Sequence, residues 1–199
     1  MPLGDSISAE GTCWRRDLWN QLADAGFDNI DFVGTQTAGD CGGNYDSDNE
    51  GHGGVLVTQV TAMERDGWFS TAQPDVVLMH FGTNDVWNNV AAESILDAYG
   101  SLVESARAEN PQVIVLLAQL IPMAASACSA CQQSIPTLNG LMPAWAEENS
   151  LPASPIFVVD QFTGFDADSD TTDGVHPYTD SGAEKMASKW FAAISALYP

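Results

Sequence analysis

Two uninterrupted apolar runs constrain this chain most. Residues 75–82 read DVVLMHFG, bounded by Pro74 and Gly82, and residues 113–121 read VIVLLAQLI. Neither alternates with polar residues, so each suits a strand covered on both faces, the setting of a parallel sheet. Between and around them the spacing is helical. Cys13–Ala25 places Trp14, Leu18 and Leu22 on one face with Gly26 as a stop. Ala91–Glu109 carries Ile95, Leu96, Tyr99, Leu102, Val103 and Ala106 on one stripe, and Ser181–Leu197 turns Trp190, Ile194 and Leu197 inward. Helices are also expected over Val57–Phe69 and Ile135–Glu148, and strands over Met1–Gly4, Ile30–Gly34 (IDFVG) and Ile156–Asp160. Thr35–Gly54 and Gln161–Tyr178 read as long loops. Strand and helix alternate along the whole chain, which gives βαβ units with right-handed crossovers. The expected fold class is α/β: a three-layer α/β/α sandwich around a parallel sheet of about five strands. With no internal repeat, low-complexity tract or linker, residues 1–199 are expected to form a single domain.

In such folds ligands bind beyond the carboxyl ends of the strands, so the loops there hold the candidates. They read Gly4-Asp5-Ser6, Gly51-His52-Gly53-Gly54, Gly82-Thr83-Asn84-Asp85 and Asp173-Gly174-Val175-His176-Pro177. Each carries a residue type that acyl transfer requires. A serine hydroxyl becomes a nucleophile only when a base takes its proton, and histidine is the usual base at neutral pH. Of the three histidines, His80 lies inside an apolar run and reads as a core residue, and His52 lies in a glycine-rich loop read as flexible. His176 follows Asp173 by three residues, across a Gly174 turn, where a carboxylate can orient an imidazole and stabilise its cation. Asp173, His176 and Ser6 are therefore assigned as a triad. The oxyanion of a tetrahedral intermediate needs preorganised donors. Asn84 offers a side-chain amide, Gly54 a backbone N–H unobstructed by a side chain, and Ser6 its own N–H.

These four blocks resemble the SGNH (GDSL) hydrolases, in the family's order and over the whole chain. The resemblance implies a serine esterase on a flavodoxin-like sheet of order 2-1-3-4-5, with Ser6 and Asn84 on neighbouring central strands. That order leaves the last strand at the far edge, so the long loop before His176 must reach back. Met-Pro-Leu-Gly-Asp-Ser-Ile at the start, Asp-Phe-Val-Gly at 31–34 and Glu-Gly-His-Gly-Gly at 50–54 are similar to carbohydrate esterase family 3, which contains acetyl xylan esterases. Where many relatives have an aromatic residue just after the position of Gly54, this chain has Val55. The function implied is removal of O-acetyl groups from a plant polysaccharide, xylan first, through an acetyl-enzyme. Trp87, just after Asn84-Asp85, is a candidate to line the sugar site. The alternatives are an SGNH esterase or lipase acting on other small or lipid esters, a glycosidase using a carboxylate pair, and an inactive carbohydrate-binding domain.

Composition narrows the partners. Six Lys plus Arg face 27 Asp plus Glu, a formal charge of −21. That excludes a nucleic-acid binder, which must displace counterions with cationic side chains, and disfavours anionic membranes. The expected partner is a neutral polysaccharide such as acetylated xylan, bound by a monomer. No run of eighteen apolar residues exists to span a membrane. Cys13, Cys41, Cys128 and Cys131 suggest two disulfides and a secreted, extracellular protein. Three connectivities are open, with Cys13–Cys41 plus Cys128–Cys131 as the working hypothesis. The opening Met-Pro-Leu-Gly has no basic n-region, so a secreted form would be mature or excised from a longer chain. No cofactor is expected, because the triad requires none. Asp166, Asp168 and Asp170 have the spacing of a structural calcium loop, but residue 171 is Thr where that loop needs glycine.

Overall fold

The computed structural model describes residues 1–9, 11–37 and 41–198. The two apolar runs are strands β4 (Val76–His80) and β5 (Ile114–Ala118). They pair in parallel inside a six-stranded sheet with β1 (Pro2–Gly4), β2 (Gln36–Thr37), β3 (Asp48–Gly51) and β6 (Ile156–Val159). The order is β2-β3-β1-β4-β5-β6. All pairings are parallel except that of the two-residue β2 with β3, so the five parallel strands keep the expected 2-1-3-4-5 order. Gly4 is in register with both Gly51 and His80, so the loops after β3, β1 and β4 leave the sheet side by side.

Successive residues of the central strands face opposite layers, as the pleat requires. Val77, Met79, Val115 and Leu117 point into one core with helices α2 (Ala62–Ala72), α4 (Ala92–Glu109) and α5 (Cys131–Asn149). Leu78, Leu116 and Ala118 point into the other, with α1 (Trp14–Asp24) and α7 (Asp180–Leu197), where Trp14 meets Trp190 at 6.0 Å. Both disulfides of the working hypothesis are present, Cys13–Cys41 and Cys128–Cys131.

Several expectations fail locally. Ile30–Gly34 is not a strand; the position beside β1 is taken by the polar Asp48–Gly51, inside the segment read as a loop. Side chains decide this. Asp46 Oδ2 accepts from the Phe32 N–H at 2.9 Å and Glu50 Oε2 from the Thr35 N–H at 2.7 Å, so these two donors are satisfied without a ladder. The helix read over Val57–Phe69 is broken into a 3₁₀ turn (Val57–Gln59) and α2, which restarts at a capping box between Thr61 and Glu64. Two further short helices, α3 (Thr83–Trp87) and α6 (Ala167–Asp170), occupy loops. Helix α5 starts at Cys131, ahead of Ile135, and continues through Pro136 and Pro143. Pro143 cannot donate to the Asn139 carbonyl, and Gln119 Nε2 does so instead at 3.1 Å.

Candidate active site

Strand β1 ends at Gly4, and Asp5 starts a tight turn whose carbonyl accepts from the Ser8 and Ala9 N–H groups at 3.1 and 3.0 Å. The Asp5 carboxylate is fully buried. Oδ1 accepts from the Ile7 N–H at 3.0 Å and Oδ2 from the Thr83 N–H at 3.2 Å, tying the turn to the start of α3. Burial raises its pKa to about 6, against the pull of the Ile7 and Thr83 hydrogen bonds. Ser6 stands at the top of this turn. Its Oγ lies 2.9 Å from His176 Nε2, and His176 Nδ1 lies 2.6 Å from Asp173 Oδ2. The other Asp173 oxygen accepts from the backbone N–H groups of Val175 and His176 at 3.0 and 2.8 Å. Partial burial pulls the Asp173 carboxyl upward, but hydrogen bonds from His176 and Val175 outweigh it and hold it below the usual carboxylate range.

The loop bearing Asp173 and His176 reaches back from the β6 edge and is fastened at both ends. Gly174 O accepts from the Ala124 N–H at 2.7 Å, and Asp170, at the end of α6, pairs with Lys185 at 2.6 Å. Gly174 has φ +83, and a Cβ there would lie 2.9 Å from Ala124 Cβ, so glycine is required twice over. The Tyr178 ring lies against the His176 imidazole, with centroids 5.1 Å apart and planes at 17°.

Opposite this loop, His52–Val55 form a β-turn closed by the Val55 N–H on the His52 carbonyl at 3.2 Å. Gly54 adopts φ +77 at its third position, a conformation that favours glycine. The turn faces the nucleophile: a Cβ on Gly53 would come within 3.9 Å of Ser6 Cβ. Asn84 Nδ2 donates to the Val55 carbonyl at 3.1 Å, which leaves a second amide hydrogen for another acceptor. Next to it, Asp85 is wholly buried and accepts from the Val57 N–H (2.8 Å), the Thr58 N–H (3.1 Å) and Thr58 Oγ1 (2.6 Å).

The five residues singled out from sequence thus meet at one end of the sheet. Ser6, His176 and Asp173 are in line, with Gly54 and Asn84 across from them. His80 is buried, and burial lowers its pKa to about 4, which keeps it neutral; its Nε2 is 3.3 Å from the Ile121 nitrogen. His52 is not in a flexible loop but is held by Glu50 and Trp68. The supporting carboxylates Asp5, Asp85 and Glu50 escaped the sequence reading, although two of them lie inside the motif blocks. Trp87 is 43% exposed, one turn along α3 from Asn84. Asp166 caps α6 and Asp170 holds Lys185, and among the described residues no three His, Cys, Asp or Glu side chains form a metal-binding group.

A hydroxyl, an imidazole and a carboxylate in this line can pass a proton from serine to histidine, and the turn of Gly54 and the amide of Asn84 stand beside the serine as candidate N–H donors. The sequence agrees with that chemistry: residues 3–183 match the GDSL-like lipase/acylhydrolase family. The chain belongs to this family. It is an esterase/acylhydrolase of the SGNH type. Among solved structures, this GDSL-like acylhydrolase is similar to a carbohydrate esterase family 3 protein from Talaromyces cellulolyticus, with 32% identity and a TM-score of 0.89 over 99% of this chain and 96% of that one. The structure of an acetyl esterase mutant with acetate ion gives the same values. A family 3 carbohydrate esterase from Clostridium thermocellum is 26% identical, with a TM-score of 0.78 over 100% of this chain and 98% of that one. A multidomain esterase of Ruminococcus flavefaciens is 28% identical over 222 residues, covering 98% of this acylhydrolase, which spans 28% of that protein's length.

Proposed function

We propose that this esterase removes O-acetyl groups from a plant polysaccharide, acetylated xylan first, through an acetyl-enzyme on Ser6. The observation that carries the mechanism is the Ser6–His176–Asp173 line at 2.9 and 2.6 Å. Ser6 Oγ attacks the acetyl carbonyl carbon while His176 Nε2 takes its proton. The N–H groups of Gly54, Ser6 and Asn84 stabilise the oxyanion. The C–O bond to the sugar then breaks, and His176 returns the proton to the departing sugar oxygen. Water, deprotonated by the same imidazole, attacks the acetyl-enzyme and releases acetate with Ser6 restored. Asp173 holds the imidazole in the tautomer with Nδ1–H and stabilises its cation.

The acetyl and polysaccharide parts rest on the likeness to family 3 carbohydrate esterases and to an acetyl esterase. A charge of −21 suits a neutral rather than an anionic substrate. Exposed Trp87 and Tyr178 offer aromatic faces of the kind that sugar rings stack on. We take the working form to be a monomer in an oxidising, extracellular setting, consistent with two disulfides, and the proposed chemistry uses no cofactor.

The test is acetate release from acetylated xylan, from a simple acetate and from long-chain esters, by wild type and Ser6→Ala. The proposal expects xylan and the simple acetate to be hydrolysed and Ser6→Ala to lose about 10⁴- to 10⁶-fold in kcat. Equal rates in the two proteins would sink the mechanism. Preference for long-chain esters, or saturable xylan binding without acetate release, would sink the substrate.

A further inference from the structure

The loop after β3 carries a side-chain cluster that the ester chemistry above does not use. Glu50 is wholly buried. Its Oε2 accepts from the Thr35 N–H and its Oε1 from Thr35 Oγ1, both at 2.7 Å, and Oε1 lies 2.6 Å from His52 Nε2. The His52 ring is stacked on Trp68, with centroids 4.3 Å apart and planes at 15°. Trp68 in turn belongs to the core beneath α2. Glu50 therefore fixes the imidazole at its tip, and Trp68 fixes it by its face.

The backbone of His52 is gripped as firmly. Its N–H donates to the Gly4 carbonyl at 2.9 Å, at the end of the strand that leads into Ser6, and its carbonyl closes the turn with Val55 at 3.2 Å. Gly53 and Gly54 are the two central residues of that turn, and Val55 is the residue that Asn84 holds from the far side. His52 thus joins the nucleophile's strand to the turn that presents the Gly54 N–H. Two adjacent glycines have no side chains of their own with which to fix that turn, so its position depends on its ends.

We propose that the Glu50–His52 pair, seated on Trp68, is the positioning device of the oxyanion turn. It holds the Gly54 N–H opposite Ser6 and acts on the chemical step, not on substrate binding. His52 and Glu50 are positioning residues, because neither is required to touch the substrate. The inference rests on the reading of Gly54 and Asn84 as oxyanion donors. Its physical basis is the steep distance dependence of such donors: a displacement of about 1 Å in a reacting group costs on the order of 100-fold.

The experiment measures kcat and KM separately for 4-nitrophenyl acetate, with every protein assayed well below its own Tm. His52→Ala is expected to lower kcat about 10- to 100-fold while KM changes less than about threefold. His52→Gln, whose amide can still donate to Glu50, should recover part of that loss. Thr35→Val removes one hydrogen bond to Glu50, leaves Trp68 and His52 in place, and should cost a smaller factor of the same kind. If the pair acts as a unit, Glu50→Gln combined with His52→Gln should be no worse than the worse single variant. Wild-type kcat in folded His52→Ala and Thr35→Val, a loss confined to KM, or additive effects of Glu50 and His52 would each overturn the proposal. Ser6→Ala and Asn84→Ala run alongside. If they match wild type, the catalytic reading itself fails; if they are impaired while the His52 variants keep full kcat, only the positioning role fails.

Discussion

On one side of Ser6, the turn carrying Gly54 and the helix carrying Asn84 are fastened by Asp5, Asp85 and Glu50, all buried and all accepting from backbone N–H or hydroxyl groups. On the other side, the Asp173 and His176 side chains are 45% and 22% exposed, on a loop tied down at Gly174 and Asp170. The contrast follows the tasks of the two walls. Oxyanion donors must already point the right way when charge develops, which calls for a stiff, dry frame. The imidazole gains and loses a proton in each half-reaction, and nearby water lowers the cost of its charged form.

The comparison breaks most visibly at the exposed wall's own carboxylate. Asp173→Asn should cost about 10³- to 10⁴-fold in kcat, with little change in Tm, since a half-exposed side chain contributes modestly to stability. On the buried wall, Asn84→Ala should cost about 100- to 1000-fold in kcat, the loss of one oxyanion donor. Asp85→Ala touches no substrate, yet it orphans the N–H groups of Val57 and Thr58. It should lower stability by about 1–3 kcal/mol in urea unfolding and reduce kcat with it. Gly174→Ala brings strain to the exposed wall; about 1–2 kcal/mol of stability and a few-fold of activity are expected to go together.

The last comparison concerns pH and leaves activity aside. His80 has a folded pKa of about 4 against an ordinary 6.5. As pH falls through that window the unfolded chain takes up the proton first, and stability drops by about 3 kcal/mol, levelling off below pH 4. Asp5, raised to about 6 from 3.8, works the other way: stability falls by a similar amount as pH rises between those values. The two oppose each other in the wild type. His80→Gln removes the His80 contribution alone, so the gap in unfolding free energy should widen by about 3 kcal/mol in favour of wild type between pH 4 and pH 6.5. A constant gap across that range would mean that His80 titrates normally in the folded protein.

The sheet and the grouping of Ser6, Asp173 and His176 were legible because each depends on local pattern: DVVLMHFG and VIVLLAQLI suit double-faced strands, and the motif blocks follow strand ends. The misread elements depend on distant partners. IDFVG has the Ile, Phe and Val that a strand favours, but Asp46 and Glu50, 14 and 15 residues from the donors they capture, take the N–H groups of Phe32 and Thr35 instead. Asp48–Gly51 is a strand despite its polarity because Glu50 finds Thr35 and His52. Pairings of this kind leave no period in the sequence. The carboxylates that brace the oxyanion wall were hidden for the same reason, among 27 acidic residues that otherwise read as surface.

The ring of Tyr178, lying nearly parallel to that of His176, gives the base a built-in reporter. A proton held over an aromatic face is shielded by the ring current, so the carbon-bound imidazole protons of His176 should resonate upfield of their ordinary positions, as those of His52 should over Trp68. Tyr178→Leu should return those of His176 to ordinary positions. The same face offers the imidazolium a cation–π contact during turnover. The titration of the base can then be followed by NMR in the resting enzyme, with no label attached and no substrate present.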